Sequence, residues 1–111
     1  MQAPKDFFNS ARNGNISDVK KRLDEGVRAD SQDDSGHTAL IYASIYGHEA
    51  VCELLITRGC NVDMQYKHGR TALMQASVNG KIPVIISLIE AGCDYSLRNK
   101  EGKSAMDILR E

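Results

Sequence analysis

Apolar and polar positions along this chain return in a fixed order. In "TALIYASIYG" (Thr38 to Gly47) and "TALMQASVNG" (Thr71 to Gly80), the small residues Ala39 and Ala43, then Ala72 and Ala76, recur four apart, the spacing of one helix face. A longer apolar pattern follows each: Val51, Cys52, Leu54, Leu55 and Ile56 after the first, and Val84, Ile85, Leu88 and Ile89 after the second. Polar turns, "DDSGHT" and "KHGRT", lie ahead of the short segments. The pattern predicts a unit of turn, short helix, tight turn, longer helix and turn.

The period is set by the nine glycines, which form three sets: Gly14, Gly47 and Gly80; Gly26, Gly59 and Gly92; Gly36, Gly69 and Gly102. Within each set the step is always one 33-residue period. Gly47 and Gly80 suit the left-handed residue that ends a short helix, and Gly59 and Gly92 do the same for the longer one. Thr38, Thr71 and Ser104 stand where a hydroxyl caps the short helix. Pro83 falls in the first turn of its helix, where a missing N–H costs nothing. One such unit cannot bury its own apolar face, so neighbours must stack into a solenoid.

These residues, "GHTALIYASIYGHEAVCELLITRGCNVD" and "GRTALMQASVNGKIPVIISLIEAGCDYS", resemble the ankyrin-repeat family. The likeness covers nearly the whole chain in period and phase. It departs where Ala39, Ala72 and Ala105 replace the motif proline, and Ile41, Met74 and Asp107 the motif histidine. The resemblance implies an all-α, ankyrin-like helix-turn-helix solenoid: a single domain over residues 4–111, with about three units plus a C-terminal half-unit and projecting β-turn or hairpin fingers. The expected divisions are a cap-like unit at 4–32, full units at 33–65 and 66–98, and a partial one at 99–111. Either a natural half-unit or a cut from a longer array fits that last segment. In the first unit, Phe7, Phe8, Ser10 and Ala11 serve one helix, Val19 and Leu23 the other, and Lys20, Lys21 and Arg22 face water.

The resemblance also implies a concave face lined by the short helices and flanked by the fingers. On it, Tyr42, Ile45, Tyr46 and Val78 form a small apolar patch that the fold does not demand, since the first unit has Arg12-Asn13 where the second has Ile45-Tyr46. Tyrosine-anchored patches of this kind typify binding hot spots. The bland alternative is that Ile45 packs on the neighbouring unit with Tyr46 half covered. The fingers run from acidic (Asp33, Asp34, with His37) to basic (Lys67, His68, Arg70, then Arg98, Lys100 and Lys103), a gradient that suits an acidic segment of a partner.

Composition narrows the function classes. With 14 basic and 15 acidic residues the formal charge is −1, which with the lack of an aromatic ladder argues against nucleic acid. No apolar run reaches the ~20 residues of a membrane span, and "MQAPKDFFNSARNG" lacks the apolar core of a secretory signal. Three cysteines without a CxxC point to free thiols and hence to the cytoplasm, or the nucleus. Catalytic, phosphate-binding and cofactor motifs are absent, and the histidines and cysteines lack ligand spacing, so neither enzyme chemistry, metal nor cofactor is expected. Cys60 and Cys93 sit where the family prefers alanine and are expected in the core, unbridged; Cys52 faces the interior of its helix. His48 is expected to pack at the start of a helix. The expected function is a protein- or peptide-binding module. Its competitor is self-association or an intramolecular scaffold role, because Met106, Ile108 and Leu109 on the last segment lack cover.

Overall fold

Glycine and hydroxyl punctuation divides the chain into seven α-helices among residues 3–111, those described in the computed structural model. They are α1 (Lys5–Asn13), α2 (Ile16–Asp24), α3 (Ala39–Tyr46), α4 (Glu49–Thr57), α5 (Ala72–Val78), α6 (Ile82–Glu90) and α7 (Ala105–Leu109). The hydroxyl caps form as the sequence predicts. Thr38 accepts the Ile41 N–H at 3.2 Å, Thr71 that of Met74 at 3.2 Å, and Ser104 that of Asp107 at 3.3 Å. Asp107 returns the bond to the Ser104 N–H, completing a capping box. Gly14 and Gly47 end α1 and α3 in the left-handed region. The longer helices instead stop on Arg58 and Ala91, with Gly59 and Gly92 following at positive φ.

Helices pair as α1 with α2, α3 with α4, and α5 with α6. The first helices stack in one layer, α1 on α3 on α5 on α7, and the second helices in another, α2 on α4 on α6. The result is an all-α stack of 39 × 25 × 21 Å. Between the layers lie Phe7, Ile41, Leu55, Met74 and Leu88, all essentially without solvent contact. Each such side chain contributes about 1.5–3 kcal/mol by leaving water. Ile41 and Met74, at the motif-histidine positions, are therefore core residues.

Neighbouring units are latched by polar contacts that repeat with the period. Asp30 accepts the Asn61 N–H and Asp63 the Asp94 N–H, each at 2.7 Å. Arg58 donates to Asp24 at 2.6 Å. His48, at the start of α4, donates through Nε2 to the Arg12 carbonyl at 2.8 Å, a packing role as expected.

The fingers are turns closed at the base by a backbone bond: the N–H of Asp33, Tyr66 and Asn99 donates to the carbonyl of His37, Arg70 and Lys103 at 2.9 Å. In the first and third, a side chain organises the tip, because Asp33 Oδ1 and Asn99 Oδ1 each accept two backbone N–H groups. Tyr66 has no such acceptor. There the chain tightens into a 3₁₀ turn (Lys67–Gly69), and His68 sits at φ 64°, the one non-glycine at positive φ among the described residues. Its carbonyl accepts the Lys100 N–H at 2.9 Å, joining the second finger to the third.

Candidate functional site

The patch expected around Ile45 and Tyr46 is built from three consecutive first helices. Residues 12, 45 and 78 occupy the same place in α1, α3 and α5, one period apart, so Arg12, Ile45 and Val78 form a row across the stack. Val78 is 61% exposed and Tyr46 49%. Ile45 and Tyr42 are partly buried and pack against the core. The structure thus splits the four: two residues are offered to solvent and two form the floor.

The floor is fixed by an aromatic and polar cluster. The Tyr42 hydroxyl donates to Asp33, whose other oxygen accepts the Ser35 and His37 N–H groups at 3.0 and 2.9 Å. Burial opposes ionisation of Asp33, but these donors outweigh it and hold its carboxyl below the ordinary value. Burial and the adjoining carboxylate push the Tyr42 phenol up to about 12. The Tyr42 ring meets Phe8 edge-on at 6.3 Å and stacks on His37 at 5.0 Å, and His37 in turn meets Tyr66 at 4.6 Å. Above this, the Arg12 guanidinium lies 5.2 Å from the Tyr42 ring and 6.0 Å from that of Tyr46, within cation–π range. Arg12 was not among the expected contact residues. Its signal was its place one period before Ile45.

His37, grouped with the fingertips in the sequence, turns inward. Its Nδ1 is buried without a hydrogen-bond partner, 3.9 Å from Asp33. A cavity of about 550 Å³ opens beside this cluster, lined by Lys5, Phe8, Asn9, Asp33 and Tyr42 among others.

The expected basic fingertips are engaged to different degrees. Arg98 donates to the Gly102 carbonyl at 2.7 Å and lies 3.4 Å from Asp107, while Lys103 pairs with Glu111, which raises its pKa. Arg70 is exposed, and its charge near the Tyr66 phenol partly offsets the rise in that group's pKa that burial causes. Lys67, His68 and Lys100 are exposed at the tips.

The thiols sit in the core region. Cys52 and Cys93 are buried, Cys60 is partly covered, and all three are free. Burial pushes Cys52 up to about 11 and Cys60 up to about 12, and raises Cys93 as well, so none is set up as a nucleophile. No cluster of three or more metal-ligating side chains occurs among the described residues. No helix among them is long and apolar enough to cross a membrane.

A family model for ankyrin repeats, in three copies, matches residues 7–99. The chain belongs to the ankyrin-repeat family. Ankyrin repeat domain-containing protein 39 of Homo sapiens is 36% identical over 59 residues, which cover 53% of this chain and 32% of that protein. An ankyrin repeat-containing protein of Saccharomyces cerevisiae is 40% identical over 50 residues, 45% of this chain and 10% of the yeast protein. An ankyrin repeat protein of fowlpox virus is 38% identical over 53 residues, 48% of this chain and 38% of the viral one. The matched part thus spans well under half of each relative. Ankyrin repeats generally mediate protein–protein interaction and are typically non-enzymatic.

Proposed function

We propose that the protein is a non-catalytic interaction module of the cytoplasm or nucleus that binds a protein or peptide across the concave face of its first-helix layer. One observation carries this reading: Tyr46 and Val78 are exposed on neighbouring first helices, while Arg12 lies over the Tyr42 and Tyr46 rings and Asp33 fixes Tyr42 in the floor. An aromatic side chain that is oriented before a partner arrives loses little entropy on binding, as hot-spot tyrosines do. Tyr46, Val78 and Arg12 are the anchors, and Ile45 and Tyr42 set their height.

The fingers supply orientation. Lys67, His68, Arg70 and Lys100 offer positive or hydrogen-bonding tips to an acidic segment of the partner, while Arg98 and Lys103 contribute less because Asp107 and Glu111 already face them. His37 acts from below, as the wedge between Tyr42 and Tyr66.

The test is capture of partners from a reducing lysate of the source cells with the wild-type chain and a Tyr46→Glu/Val78→Glu variant. Both positions are solvent-exposed, so circular dichroism should show the variant folded. A partner held by the wild type and lost by the folded variant supports the concave-face reading. Equal retention by both rejects it.

A further inference from the structure

We propose that the Arg12 guanidinium is a receptor for a carboxylate: the partner segment that crosses the first helices sets an Asp or Glu over Arg12 and an aliphatic side chain beside it on Tyr46 and Val78. This rests on the concave-face reading and gives that surface its ligand chemistry. Arg12 stands in the last turn of α1, 5.2 Å from the Tyr42 ring and 6.0 Å from that of Tyr46. A guanidinium over a ring engages it through its flat face, while its N–H donors lie in its own plane. Among the described residues those donors meet no acceptor. The side chain bonds no carbonyl at the end of α1 and pairs with no carboxylate, although it is exposed and well placed for both.

Its position is fixed from several sides. His48 donates to the Arg12 carbonyl at 2.8 Å, and it can lie there because Gly14 has no side chain: a Cβ would stand 2.6 Å from the imidazole. Beneath, Tyr42 is tied to Asp33. One unit further on the arrangement returns with a lysine. The Lys81 stem lies across Gly47, where a Cβ would stand 2.7 Å from its Cδ. Tyr46, just before that glycine, therefore stands between a cation of the preceding unit and a cation of the following one.

The formal charge of −1 conceals this, because many carboxylates are engaged within the fold. Asp30 and Asp63 hold backbone N–H groups of the following units, and Asp6, Asp18 and Glu25 surround Arg22. Arg12, Lys67, Arg70, Lys81 and Lys100, along the first helices, turns and fingers, pair with no carboxylate among the described residues. Set against them are Glu49 after His48, and Asp34 and Glu101 at the fingertips. The balance on this side is positive, which complements an acidic segment.

A carboxylate suits the place better than a phosphate. Arg12 lies in the last turn of α1 and Tyr46 ends α3, so the site sits at the negative ends of two helix dipoles, a field that opposes a dianion more than a single charge. The Gly14 and Gly47 N–H groups already donate to the Ala11 and Ala43 carbonyls, so these turns offer a phosphate no nest of free amides. The two oxygens of a carboxylate match the fork of one guanidinium. The aliphatic neighbour follows from Tyr46 and Val78, whose exposed apolar surface it covers.

The probes are pools of short degenerate peptides, each with an aliphatic residue fixed beside a central Glu, Gln or phosphoserine, and retention on the immobilised 111-residue chain is measured at low and high salt. The wild type should hold the Glu pool about 10-fold better than the Gln pool, the size of a charge-assisted hydrogen bond, with the margin shrinking as salt rises. Arg12→Gln should erase that preference, and Arg12→Lys should keep only part of it, because an ammonium lacks the fork. Position 12 is exposed, so both variants should fold, which circular dichroism verifies. Equal retention of the Glu and Gln pools, an unchanged preference in Arg12→Gln, an Arg12-dependent preference for phosphoserine over Glu, or no retention of any pool would each overturn the proposal. Peptides held without the preference, yet lost by Tyr46→Glu/Val78→Glu, would sink the carboxylate and leave the concave-face reading standing. Peptides held without it and kept by that variant would sink both.

Discussion

Asp33 shows how much one side chain can organise. Its carboxylate gathers the Tyr42 hydroxyl and two backbone N–H groups, so it shapes the first finger and fixes the ring beneath the patch at once. Ultraviolet titration of the four tyrosines should show one phenol, Tyr42, ionising last, near 12. Asp33→Asn should bring that step part of the way back toward 10, leaving the share due to burial. It should also lower stability by roughly 1–3 kcal/mol in urea melts, the usual cost when a charged acceptor is lost from a partly buried cluster. None of this was legible beforehand. The sequence displays Asp33 as a surface turn residue and Tyr42 as a helical one, and their pairing needs the finger to fold back onto α3. Arg12 was hidden for a related reason: its partners, Tyr42 and Tyr46, lie 30 or more residues along the chain.

Among elements, the three fingers form a natural comparison set. The first and third have an Asp or Asn to gather the turn, and the second has Tyr66, whose ring serves the His37 contact instead. Its turn is held by a strained His68. An L-residue in the left-handed region costs roughly 1–2 kcal/mol, part of which glycine gives back through the entropy of the unfolded chain. His68→Gly should therefore stabilise the fold by about 0.5–1 kcal/mol in denaturant melts, with the His68–Lys100 backbone bond kept. If stability falls instead, the imidazole makes a contact worth more than the strain. The helices themselves were readable, since the 33-residue period, the caps and the glycines each place a boundary. Periodicity reports which residues are apolar, not how far each is covered, so Ile89 reads like Leu23 and Ile56, which are buried and partly buried, and is itself half exposed.

At the scale of the molecule, the buried thiols and Tyr42 tie stability to alkaline pH. All have folded pKa values raised by burial, so the fold favours their protonated forms. Their effect is absent below the unfolded values of 9.0 for cysteine and 10.0 for tyrosine, and stability is lost as pH climbs through the folded values of about 11 to 12. Urea midpoints measured at intervals from pH 7 to pH 11 should stay level to about pH 9 and then fall. A level profile to pH 11 would show that these groups are less enclosed than the core suggests.

The latches between units also bear on how the protein is made. Asp30 to Asn61 and Asp63 to Asp94 each reach back 31 residues, and His48 to Arg12 reaches back 36. Each stretch of chain that leaves the ribosome thus finds its docking surface already synthesised, a few seconds earlier at about 5–20 residues per second. Assembly can run in the order of synthesis, each new helical pair closing on the last.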